Sequence, residues 1–494
     1  MKKVVIIGGG IAGLSAGVYA KKSGYDVEIY EKNPVAGGQC MGWNRKGHHI
    51  DNCIHWLTGT HKNSSLRNLW ESIGALTTNT EFVTSDKFYS SYIGEECVTL
   101  WKDIERTKRE LLQVSPEDEA EINKLMEHVK YATCCQMPVE KPMDMMNLID
   151  YIKLGKSMGK MPKVLKEYGK IDLCDMAARF KHPLLKALFT DYMLKSYTAS
   201  SFVVAYATVA SGNGEIPVGG SLAMTNRVID MFESLGGKLY RNCMVKRVIT
   251  KDNEAVGIEL GTGEVVQSDY VICATDTMEM FHKLLGRTYM NKQWENCYND
   301  EQHYPTFSGF QVAFSIDKEL FPHSGTIFFD CIPFDVNNKK ISRMSLKAFQ
   351  YEESFAPEGK TVLQTNVAQL DDDYRFWKAL DHETYHSKKQ ELVKIIQERI
   401  EEKFPKLAGH IQVLDSWTPL TYERYCNSYH GAYMSFITKK GVKSFQVKGT
   451  VKGLSNIFVA SQWIMAPGGL PVAAASGKFA VQRMLKKDKR KVMI

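Results

Sequence analysis

Gly8, Gly10 and Gly13 stand in G-x-G-x-x-G spacing directly behind Lys3–Ile7, a short run rich in Val and Ile that suits a strand buried on both faces of a parallel sheet. The residues that follow place Leu14, Val18 and the small Ala12, Ala16, Gly17 and Ala20 at helical intervals. Gly24 closes that helix, residues 26–30 give a second strand, and Glu31 ends it, roughly twenty residues on, where a ribose-binding acid belongs. Each glycine has a task. Gly8 makes a tight turn, Gly10 lets backbone approach a pyrophosphate, and Gly13 lets helix and strand pack closely. The helix N-terminus, starting at Ile11 and Ala12, then faces phosphate charge. This commits the first part of the chain to an α/β, Rossmann-type dinucleotide-binding domain. The acid at Glu31 favours a free ribose diol over a 2′-phosphate, which leaves FAD and NAD.

At 494 residues the chain has room for two domains or one elaborated domain, and 44% hydrophobic with 24% charged residues is the balance of a folded globular protein. The 63 Lys+Arg against 56 Asp+Glu leave +7, too weak a bias over this much surface to argue for a nucleic-acid partner. Eleven cysteines at irregular spacing, without a Cys-x-x-Cys unit, read as the reduced thiols of a cytoplasmic protein. Gly8, Gly9 and Gly10 interrupt the only apolar run that would resemble a signal peptide. The longest apolar stretch, residues 202–210, is too short for a transmembrane helix. Peripheral contact at the inner face of a membrane stays open.

The choice of FAD over NAD rests on two further segments. Gly37 and Gly38 are followed by a run from Gly47 to Trp56 containing Asp51 and His55, which NAD folds do not need. Near the C-terminus, residues 453–460 read as a strand, 461–472 as a turn holding Gly468, Gly469 and Pro471, and 473–485 as a small-residue helix. Pro471 suits a first helical turn, and the paired glycines allow backbone to lie against a flat ring. A helix N-terminus there stabilises the anion that develops on a reduced flavin.

With these motifs the chain resembles the phytoene desaturase and retinol saturase group of FAD-dependent oxidoreductases, within the amine-oxidase-like flavoproteins. The resemblance is firmest over residues 4–38, 51–56 and 453–480, with support from Gly219-Gly220-Ser221, residues 236–248 and residues 269–275. It implies that Gly8, Gly10 and Gly13 hold the pyrophosphate, Glu31 the adenosine ribose, and Val245 the adenine through its backbone, with Ile11, Ala12 and Lys32 also at the cofactor. It also implies that Gly37, Gly38, Gln39 and His55 border the flavin, and that Gly469, Leu470, Pro471 and Val472 meet its isoalloxazine edge. Two positions depart from the pattern. Gln39 stands where an arginine is usual, and Gln462 where an acid is usual near the ribityl chain, so Gln462 is expected to hydrogen-bond a ribityl hydroxyl.

Such an FAD domain is discontinuous, comprising residues 1–83, 212–285 and 454–494. An α+β substrate domain of residues 84–211 and 286–453 carries a mixed or antiparallel sheet, with strands near 309–316, 325–329, 361–367 and 412–415 and a helix over 385–404. No second G-x-G-x-x-G follows a strand, so electrons pass by way of NAD(P)H visiting the substrate site, oxygen, a quinone or a carrier protein. Residues 140–170 are rich in Met and Lys beside apolar positions, and read either as a lid or membrane-contact segment or as a helix pair packed on the core.

Chemistry across a carbon–carbon bond at a flavin needs one acid or base near the ring. His55 is the first candidate, and Tyr429, His430 and Glu423 are candidates in the aromatic run 417–433. His48 and His49 are potential partners of Asp51, without metal-ligand spacing, and no metal is expected. The expected activity is the addition or removal of hydrogen across carbon–carbon bonds of a small apolar lipid, isoprenoid or polyene. The alternatives are a flavin-dependent double-bond isomerase, an amine oxidase and a lipid-binding escort protein.

Overall fold

The computed structural model describes residues 1–492; Met493 and Ile494, the end of the expected third FAD-domain piece, lie outside the described residues. Lys3–Ile7 is the centre of a five-stranded parallel sheet, flanked on one side by Tyr270–Cys273 and Ile457–Val459 and on the other by Asp26–Tyr30 and Lys238–Tyr240. Val4 to Ile7 are all buried, as a strand covered on both faces must be.

The Ile11–Lys22 helix lies so close to this sheet that a Cβ on Gly13 would come within 2.0 Å of the Gly8 carbonyl oxygen. The C-terminal helix, Leu470–Lys487, packs against the first helix just as closely. A Cβ on Gly477 would meet Ala12 O and Ala16 N at 2.6 Å, which is why both helices are rich in small residues there. Asp488, just past the end of that helix, accepts from the Tyr25 hydroxyl at 2.7 Å and the Tyr270 hydroxyl at 2.5 Å, tying the C-terminal segment to the sheet.

The second layer is a seven-stranded sheet in the order Gln412–Trp417, Phe307–Asp317, Lys360–Leu370, Lys339–Ala348, Gly325–Val336, Lys87–Ile93, Glu96–Trp101. It is antiparallel except where Gly325–Val336 runs parallel to Lys87–Ile93, so the sheet is mixed. The helix expected over 385–404 spans His382–Lys403 and buries Leu392, Val393, Ile396 and Ile400 against Phe310, Ile327 and Leu363 of that sheet. Helices fill residues 104–210, and the apolar stretch 202–210 belongs to one of them, Ala199–Ala210.

Two hairpins differ from the expected strand set. Gly325–Val336 runs well past residue 329 and turns back into Lys339–Ala348 through Asn337 and Asn338, whose φ angles of 50° and 65° suit a tight hairpin turn. Lys87–Ile93 and Glu96–Trp101 turn through Gly94 in the same way. The first is hidden by its polar, weakly alternating sequence, because Thr326, Ser345 and Lys347 look into a cavity rather than into a core. All eleven cysteines are free thiols. Among the described residues no helix is long and apolar enough to cross a membrane.

Candidate active site

A cavity of about 1280 Å³ runs between the two sheets, larger than the roughly 300–1,000 Å³ of an ordinary ligand pocket. Gly8, Gly10, Ile11 and Ala12 open onto it at one end. Gly8, with φ of 102°, is glycine for an internal reason, since a Cβ would fall 2.7 Å from the Ala274 carbonyl oxygen. Gly13 is likewise internal and faces the turn rather than the cavity, which corrects its expected contact with the cofactor. Gly10 is different. Its φ is −74° and the nearest atom to a Cβ is 3.8 Å away, so the protein leaves room there for a side chain that the sequence does not supply. No side chain caps the helix that starts beside it, and its leading N–H groups look into the cavity. An open helix N-terminus behind a bare backbone is what a pyrophosphate requires.

Glu31 borders this end, its carboxylate oriented by Gly9 N and by Asn33 N and Nδ2, all at 2.8 Å. Lys32 also lines the cavity, donates to the Arg424 carbonyl at 2.8 Å, and has its pKa lowered by burial. Gly37 and Gly38, with φ of 132° and 60°, lie against Gly10, and Val245 lies near Tyr30 on the cavity wall. Gln39 donates to the Ala432 carbonyl at 2.7 Å and to Ser428 Oγ at 3.1 Å.

A second helix N-terminus opens onto the same cavity. Gly468 and Gly469 take φ of 85° and 86°, the Leu470–Lys487 helix begins with no side-chain cap, and Leu470 and Pro471 line the space before it. Val472, expected at the cofactor, turns instead into the core with Trp463 and Ile464. Gln462 is engaged within the protein: its Oε1 accepts from Gly469 N at 2.8 Å and its Nε2 donates to Tyr433 O at 3.1 Å. It shapes the turn and also lines the cavity.

The third glycine-led helix, Gly220–Ser234, is closed. Asp51 accepts from Ser221 N at 2.6 Å and Ser221 Oγ at 2.7 Å, and fills the helix N-terminus with the protein's own carboxylate. His48 and His49 do not bond Asp51. His48 bonds Ser315 Oγ and His49 bonds Asn44 Oδ1, both at 2.9 Å.

The seven-stranded sheet forms another wall, with Gln311, Ser345, Lys347, Gln364 and Asn366 facing the cavity. Gln311 Nε2 donates to the Tyr422 and Tyr433 hydroxyls at 2.9 and 2.7 Å, and Tyr422 donates to Asn52 at 2.8 Å. Lys347 Nζ donates to the Ile54 carbonyl at 3.1 Å. Burial, partly offset by Asp51 and Cys53, brings its pKa down to about 8. Beside it His55 opens into the cavity, exposed to that space and enclosed by the protein around it, and this enclosure, reinforced by Lys347, pushes its pKa down to about 3. The imidazole is therefore neutral at physiological pH, and Lys347 is the group poised to exchange a proton. Lys347 was not among the expected residues, although a lone lysine between Leu346 and Ala348 in a strand is a visible signal. Asp276 is a second such group, capping a short helix and raised to about 7 by burial. Trp56, Tyr192, Tyr197, Phe307 and Phe328 supply an aromatic surface, Trp56 meeting Tyr192 at 5.7 Å between centroids.

Glu423, Tyr429 and His430 do not line the cavity. The Pro419–Cys426 helix turns Tyr422, Tyr425 and Cys426 to it and leaves Glu423 on another face, where it pairs with Lys378 at 2.7 Å. His430 is stacked between Tyr429 and Tyr374, with centroids at 3.9 and 4.5 Å, and bonds Asp371 at 2.7 Å. Glu301, Asp371 and His430 approach one another as metal ligands do. Each already has a partner, Asp371 in Thr306 and Glu301 in Arg375, and the three read as a hydrogen-bonded corner.

Residues 11–485 match the family of flavin-containing amine oxidoreductases. The chain is 21% identical to the lycopene-forming phytoene desaturase of a Paracoccus species, over 98% of this chain and 97% of that protein. It is 22% identical to the chloroplastic prolycopene isomerase of Daucus carota, over 97% of this chain and 79% of that protein. Among solved structures, an oxidoreductase from Methanosarcina mazei superposes with a TM-score of 0.61 at 16% identity, over 97% of this chain and all of that one, a likeness of fold.

Proposed function

Because the chain belongs to the family of flavin-containing amine oxidoreductases and is an FAD-dependent oxidoreductase, we propose that its reaction adds or removes hydrogen across carbon–carbon bonds of an apolar isoprenoid or polyene. The observation that carries this reading is one cavity holding two open helix N-termini, an aromatic wall and a lysine that titrates near neutrality. Bound FAD supplies two-electron exchange with a substrate carbon. The chain does the rest. The N–H groups behind Gly10 bind the pyrophosphate, Glu31 holds a ribose hydroxyl, and the positive end of the Leu470–Lys487 helix favours negative charge at the flavin edge. Trp56, Tyr192 and Phe328 position an extended apolar ligand and exclude water. Lys347 gives or takes the proton at Nζ, while neutral His55 beside it accepts or donates a hydrogen bond without changing charge.

The purified protein should carry the flavin absorbance bands, bleach anaerobically with a suitable donor, and recover colour when a polyene is added. Nicotinamide donors are tested first, then quinols. Protein that contains flavin but reacts only with amines, releasing peroxide, would overturn the reading. The likeness to prolycopene isomerase supports a second version, redox-neutral double-bond isomerisation, which would form product with reduced flavin and no consumption of donor or acceptor.

A further inference from the structure

The Leu148–Ser157 helix turns its apolar face outward. Leu148 is 75% exposed, Ile149 62% and Ile152 51%, and no residue of the helix is buried. At 3.6 residues per turn these three positions form one stripe, with Tyr151 at its edge. The helix is nonetheless a defined element. Asn147 and Asp150 exchange backbone-to-side-chain bonds at 3.0 Å across its start, and the Tyr151 hydroxyl donates to the Met143 carbonyl at 2.9 Å. The next helix, Met161–Tyr168, anchors the pair through buried Met161, Val164 and Tyr168. Its Leu165 is 43% exposed and also lines the cavity, so the apolar surface leads along the chain to one edge of the active site.

Charge around the stripe is one-sided. Every acid of residues 140–170 is engaged by a basic partner: Glu140 by Lys478, Asp144 by Arg483, Asp150 by Lys141, and Glu167 by Lys124 and Arg179. Among the described residues, Lys153, Lys156, Lys163 and Lys166 have no ion-pair partner, and Lys160 and Lys163 lie over the Tyr131 ring. An exposed apolar stripe edged by uncompensated lysines matches an acyl boundary beneath anionic headgroups. A second copy of the chain fits less well, because a two-fold contact through this face would set lysine against lysine. At 10 residues the helix is too short to span a bilayer and suited to lying in its interface.

We propose that the Leu148–Ser157 helix docks this protein on a bilayer bearing anionic phospholipid, with the Leu165 edge of the cavity turned toward the lipid. That the bilayer is the source of substrate rests on the apolar-substrate reading above; the docking does not.

Full-length protein is sedimented with vesicles of phosphatidylcholine alone and of phosphatidylcholine with phosphatidylglycerol. Binding to the anionic vesicles is expected, weakening with salt. In Leu148→Ser/Ile149→Ser/Ile152→Ser, whose side chains are exposed, binding should fall at least about tenfold, with flavin content unchanged. In Lys153→Gln/Lys156→Gln/Lys163→Gln/Lys166→Gln the preference for phosphatidylglycerol should fall by about fivefold per lysine removed. Wild-type protein that ignores anionic vesicles, or a serine variant that binds as well as wild type, overturns the proposal. So does a dimer that the serine variant dissolves without any vesicle binding, which would make the face a self-association surface. Protein that binds vesicles but contains no flavin would leave the docking standing and remove the catalytic reading.

Discussion

On one side of the cavity Gly10 and Gly469 present open helix N-termini; on another, Gln311, Lys347, Gln364 and Asn366 project from neighbouring strands of one sheet. The first wall is made of backbone, and its chemistry is fixed wherever glycine lets a helix end approach a ligand. The second is made of side chains, and its chemistry depends on which residues the strand register turns inward. A backbone wall suits a cofactor that is the same in every turnover, while a side-chain wall can be altered one residue at a time to suit a substrate. The Gly220–Ser234 helix sharpens the contrast. It too is led by glycines, but Asp51 occupies its N-terminus, so a glycine-led helix marks a ligand site only when no residue of the chain fills it.

The backbone wall breaks first at Gly10. In Gly10→Val the fold has room for the Cβ, and the side chain enters the space a pyrophosphate needs. Two lost charge-assisted hydrogen bonds, about 1.5–3 kcal/mol each, predict a fall in FAD affinity of at least about a hundredfold. The variant should purify folded and colourless. Gly13→Val, by contrast, should fail to fold, because the Gly8 carbonyl occupies the position of its Cβ. If both variants behave alike in circular dichroism and flavin content, the distinction between a ligand glycine and a packing glycine is wrong.

The side-chain wall is tested at Lys347. Lys347→Met should keep its flavin and lose about 10²–10⁴-fold in turnover. In wild-type protein, if the lysine acts as the acid, the rate should fall as pH rises through about 8. Stability moves the other way. The pKa is lowered on folding, so between about 8 and the unfolded value of 10.5 the unfolded chain binds more protons, and stability rises with pH across that window. Below it the native state carries a constant cost for a buried charge, and Lys347→Met should be more stable than wild type at pH 7, by something on the order of 2 kcal/mol. Unchanged turnover together with unchanged denaturation at pH 7 would remove Lys347 from the chemistry.

These two walls differ equally in how far they could be read from the sequence. Gly8, Gly10, Glu31, Gly469 and Pro471 were legible because backbone geometry leaves a fixed spacing of glycine, proline and acid. Val472 is turned away from the cavity by a fraction of a helical turn, which spacing does not encode. On the sheet, the strand holding Lys347 went unseen because its alternation separates a core face from a polar cavity face, and only a buried interior makes alternation conspicuous. Tyr429, His430 and Glu423 share one aromatic run with Tyr422 and Tyr433, but the helix phase and the left-handed turn at His430 send them away from the cavity that those two tyrosines face.

Asp51 separates the closed helix N-terminus from the two open ones in energetic terms. Asp51→Ala leaves the Ser221 N–H and hydroxyl without their acceptor, and the loss of a buried cap should cost about 2 kcal/mol of stability, read as a lower denaturation midpoint. Flavin stoichiometry of the folded fraction should be retained, since the carboxylate serves a helix and not the ligand. Loss of flavin at constant stability would instead place Asp51 among the cofactor contacts and make all three glycine-led helices alike.

Glu423 marks the outer limit of the side-chain wall. Its carboxylate pairs with Lys378 and accepts from the Tyr374 hydroxyl at 2.9 Å, on a different face of its helix from the cavity residues. Both ion-pair partners are partly exposed, at 55% for Lys378 and 33% for Glu423, so water already screens the attraction. Glu423→Gln keeps a hydrogen-bond acceptor for Tyr374 and removes only the charge. Stability should change by less than about 1 kcal/mol, with turnover and its pH profile unchanged. In Tyr422→Phe, one residue earlier, the hydroxyl joining Gln311, Trp417 and Asn52 is lost, and substrate KM should rise while flavin content holds. Adjacent residues with opposite outcomes would locate the boundary of the site within a single turn of helix; a rate loss in Glu423→Gln would mean that the wall extends around that helix to its Lys378 side.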